Sequence, residues 1–244
     1  MSTNLIEVDG VTKYYGADPA LKDVSFSVGR GEIIGIAGPS GSGKTTLLNM
    51  ISGLSKPSAG SIKISDKDIG KLKPGKELAA LVGMIDQQYS IVPELNVINN
   101  VLAGNLGNWS LLKSLVSLIY PLEREKVSLM LKDLGIEHKI NNKAAHLSGG
   151  EQQRVSIARL LIQNPMVVLA DEPVSSLDPT RAEDIMQLIK SKLVTENRSV
   201  IITLHNTKLI QNYCSRLIGI KEHSVVFDVS SDHINEEMLS ELYK

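Results

Sequence analysis

Ile33-Ile34-Gly35-Ile36-Ala37-Gly38-Pro39-Ser40-Gly41-Ser42-Gly43-Lys44-Thr45-Thr46 runs from five uncharged residues into a glycine-rich turn closed by Lys44 and Thr45. An apolar run without alternation is the pattern of a strand buried on both faces of a parallel sheet. Beyond the turn, Leu47, Leu48 and Ile51 recur at helical spacing. Residues 38–45 fit G-x-x-x-x-G-K-[ST] between that strand and that helix. Glycines admit the backbone angles that aim successive N–H groups inward, and the helix start adds a positive dipole end. The segment is therefore expected to cradle a nucleotide's phosphates, with Lys44 reaching the β- and γ-phosphates and Thr45 offering a hydroxyl to Mg²⁺.

Outward from this turn, residues 166–170 and 200–204 are two more apolar runs, each followed by a helical pattern. The first ends in Asp171-Glu172, at the strand edge where open α/β sheets bind ligands. Asp171 suits the Mg²⁺ shell and Glu172 a general base acting on water, the alternative being a solvated acidic turn. Residues 5–11, 24–28 and 61–65 alternate apolar and polar side chains, the period of half-exposed antiparallel strands. Between Pro93 and Leu147 the pattern turns helical, with Val127, residues 129–131 and Leu134 before a Gly135 stop. Without repeats or a linker, the chain reads as one domain with two lobes.

The bulk composition narrows the classes. With 26 basic and 27 acidic side chains in 244 residues, the net charge of −1 supplies no field for a polyanion, which counts against nucleic-acid binding. Cys214 stands alone, so neither a disulfide nor a cysteine-based zinc site can form within the chain, and a reducing compartment fits. Residues 1–4 lack a secretory signal, and the longest apolar stretch, residues 111–122, contains Lys113 and Pro121. It falls short of the roughly 20 residues a spanning helix needs, so any membrane role is expected to run through partners.

Leu147-Ser148-Gly149-Gly150-Glu151-Gln152 precedes an apolar-periodic helix through Val155, Ala158, Leu161 and Ile162, closed by Asn164-Pro165. Ser148 and Glu151 form an S-x-x-E capping box, and the paired glycines leave the helix mouth bare for close approach by an anion. Taken in order with the cradle, the acidic pair, Ser176-Leu177-Asp178 and His205, this stretch resembles the ATP-binding cassette family over nearly the whole chain.

The resemblance implies an α/β fold of the P-loop NTPase type, a RecA-like parallel sheet with an N-terminal antiparallel β subdomain and an inserted α-helical subdomain. Residues 1–87 and 155–244 would form the catalytic lobe and 88–154 the helical one. It further implies an ATPase using ATP and Mg²⁺, in which two cassettes sandwich two nucleotides head to tail. Ser148, Gly149 and Gly150 would then act on the nucleotide held by the opposite copy. Gly38 through Thr46 would bind the phosphates, Tyr15 (with Tyr14 as the alternative) would stack on adenine, and Asp178 would cross the dimer. Gln87 would touch Mg²⁺ and the attacking water, and His205 would contact the γ-phosphate.

Residues 100–107 with Trp109, Leu204-His205-Asn206 and residues 225–228 are similar to the ATP-binding subunits of phosphonate importers in particular. That likeness implies a transmembrane permease, a solute-binding protein and a place on the cytoplasmic face of the membrane. An exporter built from separate subunits and a non-transport cassette are the alternatives. Asp86 departs from the family, which usually has an aromatic or apolar residue before the glutamine.

Overall fold

The computed structural model describes residues 4–86 and 90–243. In chain order, β1 (Asn4–Tyr15) and β2 (Asp18–Gly29) form a hairpin, and β3 (Ile33–Ala37) leads through the glycine turn into α1 (Lys44–Ile51). β4 (Ala59–Ile64) and β5 (Lys67–Asp68) precede α2 (Lys76–Leu81) and β6 (Val82–Ile85). A helical stretch follows, with α3 (Val97–Leu102), α4 (Leu111–Ile119), α5 (Arg124–Asp133) and α6 (Gly149–Gln163). The chain then alternates β7 (Val167–Asp171), α7 (Pro179–Leu188), β8 (Ser199–Thr203), α8 (Thr207–Tyr213) and β9 (Arg216–Lys221). It closes with β10 (Ser224–Ser230) and α9 (Glu236–Tyr243).

Two sheets result. One is antiparallel in the order β2-β1-β4-β5, and the other runs β10-β9-β3-β8-β7-β6, parallel except for the β10 edge. The apolar runs of the sequence are the centre of the second sheet, and every residue of β3, β7 and β8 is buried. Successive side chains serve opposite layers, as the pleat requires. Ile33, Val168, Ala170, Val200 and Ile202 face the helices, whereas Ile34, Ile36, Val167, Leu169 and Ile201 face α1 and the antiparallel sheet. Two cores on one sheet explain why these strands show no alternation while β1, half-exposed on its far side, does.

The helix α6 joins the helical stretch to the parallel sheet. Its capping box is complete, Ser148 taking the Glu151 N–H while the Glu151 carboxylate takes the Ser148 N–H at 2.8 Å. At its far end Asn164 adopts the left-handed conformation and Pro165 prevents continuation. Gln163 donates to the carbonyls of Ala79 and Val82, both at 2.9 Å, which anchors that end beside β6. Arg159, midway, donates to the Ser90 carbonyl, and the Ser90 hydroxyl donates to Asp86. Asp86 thus belongs to a polar cluster on α6, which accounts for an acid where an apolar residue is usual.

Cys214 is buried beneath the parallel sheet, and burial pushes its thiol up to about 12. No helix among the described residues is long and apolar enough to cross a membrane.

Candidate active site

The turn after β3 is wedged between two strands. A side chain at Gly38 would bring Cβ within 2.1 Å of the Ile220 carbonyl oxygen, and one at Gly43 within 2.3 Å of the Ala20 carbonyl oxygen. Gly43, with φ 104°, is the N-cap of α1 and turns the chain into the helix. Ser40, Gly41 and Thr45 are exposed, Pro39 and Thr46 half-buried, and Ser42 buried. Among the described residues the Ser42 hydroxyl has no hydrogen-bond partner.

Lys44, 7% exposed, donates to the carbonyls of Gly38 (2.8 Å) and Pro39 (2.9 Å). Burial lowers its pKa, while the nearby charges of Glu172 and Asp171 pull it back up. That electrostatic coupling reflects the sheet, since β3 and β7 flank β8 and bring Lys44 and the acidic pair to one edge.

Asp171 ends β7 and is paired in register with Thr203, the end of β8. The Thr203 hydroxyl donates to Asp171 Oδ1 at 2.7 Å and accepts the Glu172 N–H at 2.8 Å, so one buried hydroxyl orients both acids. Glu172 itself has φ 47°, the left-handed region, which costs a non-glycine residue on the order of 1–3 kcal/mol. The strain is offset locally. Its carbonyl accepts from the Ser175 N–H and hydroxyl, and Oε1 lies 2.6 Å from His205 Nε2. The result is a carboxylate held against an imidazole at the wall of a cavity of about 350 Å³ lined by Ser175, Leu177 and Asn206 among others.

Sequence reasoning missed Thr203; its signal is a hydroxyl ending an otherwise apolar strand. Thr203→Val, nearly isosteric, removes both hydrogen bonds and orphans a buried N–H, a loss of about 1–3 kcal/mol. Melting is expected to drop by roughly 2–4 °C per kcal/mol, with slower hydrolysis. Unchanged melting and unchanged turnover would show that the acids need no such anchor.

Ser148, Gly149 and Gly150 open α6, and Asp178 is the N-cap of α7, accepting the Arg181 N–H at 3.1 Å. Among the described residues a Cβ at Gly150 would meet only the Arg181 Cδ at 3.9 Å, so the two helix mouths are neighbours and packing against those residues does not require glycine there. The side-chain hydrogen bonds of Ser148 and Asp178 close on their own helices rather than on the Lys44 loop. Lys139 also pairs with Glu151 at 3.2 Å. Burial pulls the Glu151 carboxyl upward, but the Ser148 bonds and Lys139 together hold it below its ordinary value.

Tyr15 is 56% exposed, with Lys13 Nζ 5.2 Å from its ring centroid, on the hairpin whose second strand presses Ala20 against Gly43. Tyr14, the alternative, is 47% exposed. Gln87 lies outside the described residues.

The model of the ABC transporter family matches residues 21–175, a span that holds the glycine turn, the α6 motif and the acidic pair. The chain belongs to the ABC transporter family. A phosphonates import ATP-binding protein of Agrobacterium fabrum is 41% identical over 236 residues, covering 96% of this chain and 82% of that protein. A nucleotide-free ATP-binding cassette from an ABC transporter superposes with a TM-score of 0.82 at 29% identity, covering 98% of this chain and 94% of the other. A dimeric cassette in a post-hydrolysis state, bound to ADP and Pi, gives a TM-score of 0.72 at 30% identity over 93% and 98% of the two chains. The α/β fold expected from the sequence is the one observed, and the ABC chain is an ATPase whose hydrolysis drives transport.

Proposed function

We propose that two copies of this chain close on two ATP molecules and power the import of a phosphonate or related phosphorus oxyanion through a separate membrane permease. A solute-binding protein would deliver the substrate, and the cassettes would sit at the cytoplasmic face of the membrane. The observation that carries this reading is the bare mouth of α6. Among the described residues a Cβ at Gly150 would meet nothing nearer than Arg181 Cδ at 3.9 Å, so the absence of a side chain there leaves room for something approaching from outside. Main-chain N–H groups at a helix start favour an anion, and the γ-phosphate on an opposing copy is an anion of the right kind. The relative from Agrobacterium fabrum, named for phosphonate import, supports the substrate class.

Within each copy, Lys44 and the N–H groups of residues 38–46 would grip the phosphates, with Tyr15 against the adenine. The residues present also fit Mg²⁺. Thr45 offers an exposed hydroxyl at the start of α1, and Asp171 has one oxygen, Oδ2, beyond the one bonded to Thr203. Hydroxyl and carboxylate oxygens completed by phosphates are what this hard cation prefers, with Gln87 as a further donor. When bound, Mg²⁺ neutralises charge building on the phosphates. Glu172 takes a proton from the attacking water, and His205 orients that carboxylate through the 2.6 Å contact. Asp178 would lie at the dimer seam.

The test is reconstitution with the permease and solute-binding protein in vesicles, assaying ATP hydrolysis stimulated by methylphosphonate against sulfate. Wild-type protein is expected to respond to the phosphonate alone. Ser148→Arg blocks the α6 mouth and is expected to cut hydrolysis at least about 100-fold, the scale of losing a transition-state donor, with ATP still bound by the monomer. Retained turnover would mean a site complete in one chain, and stimulation by sulfate only would exclude the substrate class.

A further inference from the structure

The C-terminal helix reaches the hydrolytic pair. Asn235 caps α9 by accepting the Met238 N–H at 2.8 Å, and Leu239 and Leu242, 8% and 1% exposed, sink into the core that also holds Leu204 and Leu209. Lys221 Nζ donates to the Glu241 carbonyl at 2.6 Å, which satisfies one of the last acceptors of the helix. Docked at these points, α9 delivers Tyr243 to the edge of the parallel sheet. Its ring centroid stands 6.5 Å from that of His205 at an interplanar angle of 47°, and its hydroxyl is near enough to the main chain of Gly38 and to the Glu172 charge to feel both.

Tyr243 therefore stands between the two ends of the site. On one side is the first glycine of the phosphate cradle; on the other is the imidazole whose Nε2 meets Glu172. His205 is exposed and has its Glu172 contact on one ring edge, so a wall on another side is what limits its rotation. A tilted aromatic neighbour at this distance is such a wall, and the docking of α9 through Leu239, Leu242 and Lys221 holds the wall still.

We propose that Tyr243 is a positioning residue: the C-terminal helix sets the orientation of His205, and through it of Glu172, relative to the phosphate loop. This rests on the reading of Glu172 and His205 as the hydrolytic pair. Burial raises the Tyr243 pKa, Gly38 opposes that and the Glu172 charge adds to it, so the hydroxyl stays neutral beside the carboxylate.

The experiment compares full-length wild type, Tyr243→Ala, Tyr243→Phe and Glu172→Gln in two measurements. The first is steady-state hydrolysis. Tyr243→Ala is expected to lower kcat about tenfold with KM for ATP within about twofold, as for a misplaced catalytic group. Tyr243→Phe, which keeps the ring that forms the wall and loses the hydroxyl, is expected to stay within roughly threefold of wild type, at most the scale of one net hydrogen bond. The second is the imidazole nitrogen NMR spectrum, with the His205 signals assigned from His205→Ala. Those signals should shift in Tyr243→Ala while those of the other four histidines hold. Unmoved His205 signals, or unchanged or raised turnover in Tyr243→Ala, would overturn the proposal. If Glu172→Gln turns over normally, the hydrolytic pair itself is misread, whatever Tyr243 does. An inactive Glu172→Gln beside an unaffected Tyr243→Ala removes only the positioning role.

Discussion

Glu172→Gln is expected to bind MgATP normally and to hydrolyse it about 10²–10⁴-fold more slowly, the contribution of a positioned general base. That is roughly 3–5 kcal/mol of barrier. The substitution is nearly isosteric, keeps the left-handed turn at φ 47° and leaves an oxygen or nitrogen to face His205 Nε2. What it removes is the proton acceptor. Binding should be spared because the Lys44 ammonium and the N–H groups of the cradle are untouched. Single-turnover hydrolysis alongside nucleotide binding separates the two effects, and size-exclusion in MgATP should show a dimer that persists because its nucleotide is not consumed. Normal turnover by the variant would refute the role given to Glu172.

Lys44→Ala is expected to act on the other side of that division and weaken MgATP binding about 100-fold. A charge-assisted hydrogen bond contributes roughly 1.5–3 kcal/mol, and each 1.4 kcal/mol is tenfold in affinity. Lys44 is tucked against the Gly38 and Pro39 carbonyls, largely out of water, which is the setting in which a cation interacts most strongly with phosphate. Titration calorimetry with MgATP measures the loss, and melting without nucleotide shows whether the fold is intact. An unchanged dissociation constant would mean that backbone N–H groups alone hold the phosphates.

Much of this was legible because the chemistry is written in short runs. The cradle, the acidic pair and the capping box each combine a loop or helix start with its functional side chains inside eight consecutive residues, and β3, β7 and β8 announce their double burial by unbroken apolarity. What escaped was long-range. Thr203 serves Asp171 and Glu172 only because β8 pairs with β7 in that register, which no local pattern states. Tyr243 stacks near His205 only because α9 docks on the sheet edge, and α9 looks like an ordinary amphipathic helix until that docking is known. The helical pattern read through Val127 and Leu134 has no start signal in the sequence; the helix begins at Arg124, where Glu123 before it takes the left-handed conformation. Asp86 looked like a misfit and belongs with Ser90 and Arg159.

The helix α6 has fifteen residues and is thus roughly 22 Å long, a stiff rod by the standards of a domain this size. At its mouth Ser148 is exposed and Gly149 and Gly150 are half-buried, while Gln163 at the far end grips the start of β6 and Arg159 holds the carbonyl of Ser90. Displacing the mouth by an ångström cannot be absorbed by bending over so short a span. The movement must emerge where those two side chains hold on, at Val82 and at Ser90, so any tug felt at that mouth becomes a shove at the far end of the rod, and a lever of this kind works in both directions.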